Sequence, residues 1–243
     1  MRFISRTTVD GVSENLFVIG DVSGVLWSPV EPSDNRPLIL LAHGGGQHKK
    51  APGVLARAHR YVTACGFAAA AIDASGHGDR PRTSDDERHA ADIRQRRAAG
   101  EPIGPLVGRY NAERARQAVA EWRSTLDALQ EVGVAGGPVG FWGVSMGSAL
   151  GIPLVAAEPS IRAAVLGLAG HELLTESAAR ITVPIEFLLQ WDDELVPLDS
   201  GLALFAAFGS AEKTLHVNPG RHAEVPRFEV ESSERFFRRH LGA

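Results

Sequence analysis

Apolar residues along the chain come in short runs separated by longer amphipathic stretches. PLILLAHGGG (37–46), FAAAAIDASGHG (67–78), PVGFWGVS (138–145), AAVLGLAG (163–170), PIEFLLQWDD (184–193) and KTLHVNPG (213–220) read as strands, several of them running out into glycine or acidic turns. Between them lie helical patterns: Val54 to Ala64, Asn111 to Val132 with Ala118, Trp122, Leu126 and Leu129 at three- and four-residue spacing, MGSALGIPLVAAE (146–158), Ser200 to Phe208, and a final amphipathic stretch from Arg227 to His240. Apolar strands alternating with helices predict an α/β fold, a mostly parallel sheet with helices on both faces. Before Pro29 the pattern differs. FISRTT, NLFVIG and GVLWSP are short extended segments joined by polar turns, which predicts antiparallel N-terminal strands. Trp142 and Trp191 fall in apolar runs and are expected in the core.

One segment breaks the rhythm. Residues 79–109 are polar, rich in arginine and acid, and contain GEPIGP. A stretch of that length is either a solvated, partly helical excursion or a lid-like insertion that shapes a site. The rest is read as one domain spanning 1–243.

Composition narrows the class of function. The net charge of −4 gives no basic field for nucleic acid. No apolar run is long enough to cross a bilayer, and the N-terminus lacks the apolar core of a signal peptide, so a cytoplasmic protein without membrane association is expected. The single cysteine, Cys65, excludes an internal disulfide and a cysteine-based zinc cluster, and is expected to be buried and inert. His77, Asp79, His89 and Asp92 have no diagnostic ligand spacing. No metal and no cofactor are expected.

Chemistry is concentrated where strands end. Gly143-Val144-Ser145-Met146-Gly147 fits G-x-S-x-G, in which a serine sits on a sharp strand-to-helix turn and its neighbours two residues away must be small. The turn sets the Met146 N–H at a helix start, where unpaired donors favour negative charge. A serine needs a base. Among nine histidines, His222 in NPGRHAE is the best placed, just past the last apolar run, whereas His216 lies within it. The base needs an acid, and either Asp192 or Asp193 can supply it; adjacent residues in extended chain point to opposite sides. His43-Gly44-Gly45-Gly46 places a glycine loop at the same sheet edge, able to aim N–H groups at an oxyanion. Neither a P-loop nor a G-x-G-x-x-G fingerprint occurs.

Taken together, these motifs resemble the α/β-hydrolase superfamily from about Pro37 to the C-terminus. The resemblance implies Ser145 as nucleophile, His222 as base and the Gly45 and Met146 N–H groups as oxyanion hole. It selects Asp193 as the acid, because WDDELVP matches an acid loop with Val-Pro three residues on. It implies a serine esterase near the dienelactone hydrolase-like group, although that group proper carries cysteine at the elbow. The link from about His171 to Thr182 is too short for a large helical cap. His48, Lys49 and His171 are expected as solvent-exposed side chains, with a place at the rim of the mouth as the alternative, and Asp73 and His77 as loop-shaping residues. The expected partner is a small-molecule ester. The same three residues also suit acyl transfer, thioester or amide cleavage and perhydrolysis, and a non-catalytic receptor on this fold is a further alternative.

Overall fold

The computed structural model describes residues 1–242 except 32, 34 and 135. Among the described residues nine strands form one sheet in the order β1-β2-β3-β5-β4-β6-β7-β8-β9. The first three, β1 (Arg2–Val9), β2 (Val12–Ile19) and β3 (Val22–Pro29), run antiparallel, and β3 pairs antiparallel with β5 (Ala68–Ile72). From β5 onward β4 (Leu38–Ala42), β6 (Val139–Gly143), β7 (Ile161–Gly167), β8 (Ile185–Gln190) and β9 (Lys213–Asn218) are parallel. Strands β4 to β8 are buried throughout, apart from Arg162 in β7. That is why they read as unbroken apolar runs rather than as alternation. By contrast, β1 is exposed at every residue and its register slips between Phe3 and Ser5.

Each face of the sheet is covered by its own helices. Helix α1 (Pro52–Cys65) and α7 (Phe228–Leu241) pack on one, burying Tyr61 and Phe237 against Ile39, Leu41 and Trp142. Helix α3 (Gly104–Glu131), α4 (Met146–Ala157), α5 (Thr175–Ala179) and α6 (Leu198–Ala207) cover the other, where Trp122, Ile152, Ala178 and Leu204 meet Phe141 and Phe187. The link between β7 and β8 holds only the five-residue α5, so there is no large cap. Strand β4 has β5 on one side and β6 on the other, so successive connections leave it in opposite directions. Such a switch point opens a crevice beyond the carboxyl ends of the strands.

Residues 79–109 are more ordered than their composition suggests. Ser84–Ala98 form α2, and the first turns of α3 follow. Helix α2 has no apolar face, so hydrophobic periodicity does not reveal it; its only buried residue is Asp86. Its start is set by a capping box: Thr83 accepts from the Asp86 N–H, and the Asp86 carboxylate accepts from the Thr83 N–H and hydroxyl. The same carboxylate accepts from the Tyr110 hydroxyl at 2.5 Å and from Arg114, both on α3. Burial alone would raise the Asp86 carboxyl, but the bonds from Tyr110, Thr83 and Arg114 hold it well below the usual carboxylate range. Asp86 thus ties α2 to the body, beside the His89 ring of α2, which stacks on Tyr110 with centroids 3.7 Å apart. Removing a partner from a buried charge pair costs about 3 kcal/mol. Asp86→Ala is therefore expected to lower Tm and to expose the amides of 84–98 to fast hydrogen exchange while those of β4 to β8 stay protected. Unchanged protection in α2 would show that other contacts hold it.

Candidate active site

The turn from β6 into α4 is dictated by close packing. Ser145 has φ 57° and ψ −122°, a left-handed conformation that a residue with a Cβ adopts only under constraint. The constraint is visible on both sides. A Cβ on Gly143 would lie 2.8 Å from the Gly147 backbone, and one on Gly147 would lie 2.7 Å from the Ala42 oxygen at the end of β4. The buried Ser148 hydroxyl ties the turn down, donating to Gly143 O at 2.7 Å and accepting from Gly167 N at 2.7 Å. Ser145 N donates to the same Gly167's oxygen at 3.0 Å. Met146 is the first residue of α4, where N–H groups have no partner within the helix.

His222 follows β9 and Asp193 follows β8. His222 Nε2 lies 2.8 Å from Ser145 Oγ, and its Nδ1 lies 2.7 Å from Asp193 Oδ2 and 2.9 Å from Oδ1. Both side chains are largely withdrawn from water, at 12% and 3% exposure, which strengthens the pairing. Asp193 Oδ1 also accepts from Leu195 N and Val196 N, at 2.8 and 2.9 Å. These bonds explain why the acid sits three residues before Val-Pro: the carboxylate closes its own turn and so is aimed at the ring. The carboxylate at Nδ1 leaves Nε2 to receive a proton from the hydroxyl. Asp192 points elsewhere. It is exposed, and its backbone N–H donates to Gly220 O at 3.0 Å, beyond the Trp191 N to Asn218 O bond of 2.7 Å. The acid turn and the histidine loop are thus joined through the backbone.

The glycine loop after β4 reaches the same place. A Cβ on Gly45 would lie 3.9 Å from Met146 Cβ, so the two backbones run side by side. His43 is buried at the base of this loop, and its Nε2 accepts from Ala74 N at 3.1 Å. Nδ1 therefore carries the proton, which it donates to Gly44 O at 2.9 Å. Below the loop, Lys49 is buried, contrary to its expected exposure to solvent. The reason is Asp73, fully buried at the end of β5. It accepts from Lys49 N at 2.7 Å, Lys49 Nζ at 2.6 Å, Ser23 Oγ at 2.9 Å and Asp79 N at 3.0 Å. Burial would raise the Asp73 carboxyl, and the bonds from Lys49 and its other donors lower it below its ordinary value. Gly78, at φ 57°, passes so close that a Cβ there would lie 2.2 Å from this carboxylate. Asp73 thus joins β3, the glycine loop and the turn after β5. His77 Nδ1 donates to Ser75 O at 2.9 Å, and its ring lies 5.3 Å from the His43 ring, within that same turn. His48 is exposed and His171 half-buried.

Two further departures concern tryptophan and cysteine. Trp142 is core, but Trp191 is 63% exposed, because β8 ends at Gln190 and the indole stands in the turn beyond. Cys65 is half-buried at the end of α1, and burial pushes its thiol up to about 11, so the thiolate is scarce near neutrality. Sequence reading also missed Glu194, Gln190 and Ser148. Glu194 accepts from His222 N at 3.1 Å, and Gln190 Nε2 donates to Arg221 O at 3.3 Å, so both hold the histidine loop. Beside Met146, between the Ala74–His77 turn and α3, lies a cleft of only about 10 Å³. A hollow of about 400 Å³ opens at the opposite end of the strands, among Arg36, Cys65 and Arg238, and does not touch Ser145.

Among solved structures, a cold-adapted esterase from an Arctic intertidal metagenomic library is 35% identical, covers 99% of this chain and 100% of its own, and superposes with a TM-score of 0.79. An acetyl xylan esterase from Paenibacillus sp. R4 is 15% identical over 99% of this chain and 88% of its own, TM-score 0.73. Est1E from Butyrivibrio proteoclasticus, solved with ferulic acid, is 14% identical over 98% and 99%, TM-score 0.68. These last two carry the fold alone. No protein-family model and no curated protein matches the chain. With a relative of that identity along the whole length, the chain belongs to the esterases of the α/β-hydrolase superfamily. No helix among the described residues is long and apolar enough to cross a membrane.

His43 makes this site sensitive to acid in a definite direction. Burial, its largest influence, drives the imidazole down to about 4, although the bond to Gly44 O favours the charged ring. The unfolded chain, with an ordinary histidine near 6.5, binds the proton first. Stability contributed by neutral His43 is therefore complete above about 6.5 and lost as pH falls toward 4, an effect of about 3 kcal/mol. Thermal melts from pH 7 to 4 are expected to fall more steeply for the wild-type chain than for His43→Asn.

Proposed function

We propose that the chain hydrolyses carboxylic esters through an acyl-enzyme on Ser145. The observation that carries this reading is the continuous relay from Asp193 through His222 to the Ser145 hydroxyl, with bonds of 2.7 and 2.8 Å. In this reading Ser145 Oγ attacks the ester carbon as His222 Nε2 takes its proton. Asp193 stabilises the imidazolium and keeps its orientation. The carbonyl oxygen becomes negative beside the Met146 and Gly45 N–H groups, where the start of α4 favours that charge. Collapse of the tetrahedral species expels the alcohol, which takes the proton from His222. Water then attacks the acyl carbon as it gives a proton to the same ring, and collapse releases the acid as His222 returns that proton to Ser145 Oγ. The helix start matters here because the donors are fixed before reaction and need no reorganisation.

The substrate in this reading is a small ester with a short acyl group. The cleft beside Met146 is too small for a chain, with Ala118 and Leu150 close behind it. Residues 1–243 act as one hydrolase domain, supported by the single continuous sheet. Residues 79–109 contribute to it as a wall beside the site rather than as a hinged lid, since Asp86 and Arg80 bind them to the body.

Ser145→Ala is expected to lower p-nitrophenyl acetate turnover by about 10³-fold or more. Asp193→Asn should cost at least about 10²-fold, whereas Asp192→Asn, whose side chain is exposed and away from the ring, should change it little. Turnover by Ser145→Ala close to that of the wild type would overturn the proposal, and equal losses in the two aspartate variants would reassign the acid. Across p-nitrophenyl esters from acetate to octanoate, kcat/KM should be highest for the shortest acyl chains.

A further inference from the structure

The sheet face that α7 covers holds a second cluster of ionisable groups, unconnected with the relay. Glu186 lies near the start of β8, seven residues before Asp193, a separation of roughly 20 Å along extended chain. On the neighbouring strand β9, two residues past Thr214, which pairs with Glu186, stands His216, and Glu229 in the first turn of α7 bonds to it. Glu186 and Glu229 are 4% and 1% exposed, while His216 is partly open to solvent.

The hydrogen bonds define what the imidazole presents. Glu229 Oε2 lies 2.9 Å from His216 Nδ1, and its Oε1 accepts from Asn218 Nδ2 at 2.8 Å. In the neutral ring Nδ1 is therefore the nitrogen that carries the proton, and Nε2 offers a lone pair. What Nε2 meets is another acceptor: Glu186 Oε2, 4.0 Å away. That oxygen takes a bond from Ser232 Oγ at 3.0 Å, and Glu186 Oε1 is buried without a hydrogen-bond partner among the described residues. Two acceptors facing one another in a buried setting need a positive species between them. Among the described residues no cation other than the His216 ring itself, were it to take a second proton, lies between them: Arg57 of α1 acts on Glu229, and Arg235 of α7 acts on Glu186, through space rather than by a hydrogen bond.

We propose that His216 Nε2 and the Glu186 carboxylate bind a divalent transition ion of the zinc class, with Glu229 holding the imidazole from its other nitrogen. A zinc ion sits about 2.0 to 2.2 Å from imidazole nitrogen and carboxylate oxygen, so a gap of this size closes around it with a small side-chain rotation. The unpartnered Oε1 supplies a second carboxylate donor, and water reaching the open side of His216 completes the shell. A ring held by a carboxylate at one nitrogen and a metal at the other is the usual arrangement for such histidines. The alternative occupant is a proton, since burial pushes the Glu186 carboxyl above its ordinary value.

The test uses the full chain and zinc chloride, by calorimetry and thermal melting, with His216→Ala and Glu186→Gln beside the wild type. The wild-type chain is expected to bind the ion and to gain about 5 °C in Tm at a hundredfold excess over Kd. Each variant should bind at least tenfold more weakly. Because nine histidines are present, an anomalous difference map of a zinc-soaked wild-type crystal assigns the position. It should show a peak between His216 and Glu186, and it decides the matter even if a variant does not fold. No uptake by the wild type, affinity unchanged in both variants, or a peak only elsewhere would overturn the proposal and leave the proton as the occupant.

Discussion

The steric contact between Gly147 and the end of β4 is the constraint on which the rest of the site depends. The serine turn is forced against Ala42 O so tightly that even a methyl group at Gly147 has no room. That contact fixes the angle at which α4 leaves β6, and with it the left-handed backbone of Ser145. It also fixes the distance between the glycine loop, which begins with the residue after β4, and the first N–H of α4. Strain of this kind costs on the order of 1–3 kcal/mol and persists only where surroundings over-determine it. Here the over-determination comes from Ser148, which bonds at once to Gly143 and Gly167, and from parallel pairing of β4, β6 and β7.

Around that fixed point the other groups are arranged by hydrogen bonds to backbone rather than by packing. Asp193 shapes its own turn through two N–H groups. Glu194 and Gln190 grip the histidine loop, and Asp192 pairs its backbone with Gly220. Asp73 performs the same task on the far side, collecting Lys49, Ser23 and Asp79 around one buried carboxylate. Loops are ordinarily the mobile part of a fold. In this molecule, the loops bearing Asp193, His222 and the glycine run are cross-tied to their neighbours at backbone level.

What could be read from the chain follows this division. The strands were legible because β4 to β8 are buried on both faces and so appear as continuous apolar runs. The order of the motifs was legible because each lies where such a run ends. Less visible was anything whose partner is remote in sequence. Lys49 reads as a surface lysine until Asp73, 24 residues away, is placed beneath it. Helix α2 has no apolar periodicity; its one local sign is Thr83 followed three residues later by Asp86, an acid in the place of the commoner glutamate. Trp191 reads as the next residue of an apolar strand, but the chain turns one residue earlier, where Gln190 is recruited to the histidine loop. His216 reads as an ordinary strand residue because Glu186 and Glu229 come from different elements.

The exposed Trp191 gives the molecule an optical property. Of its tryptophans, Trp27, Trp122 and Trp142 are buried at 0%, 3% and 4% exposure, and only Trp191 meets water, at 63%. A water-borne quencher therefore dims a single indole, and that indole stands two residues from the acid that holds His222. The red edge of the fluorescence spectrum is, in effect, a dye that the chain has built into the rim of its own site.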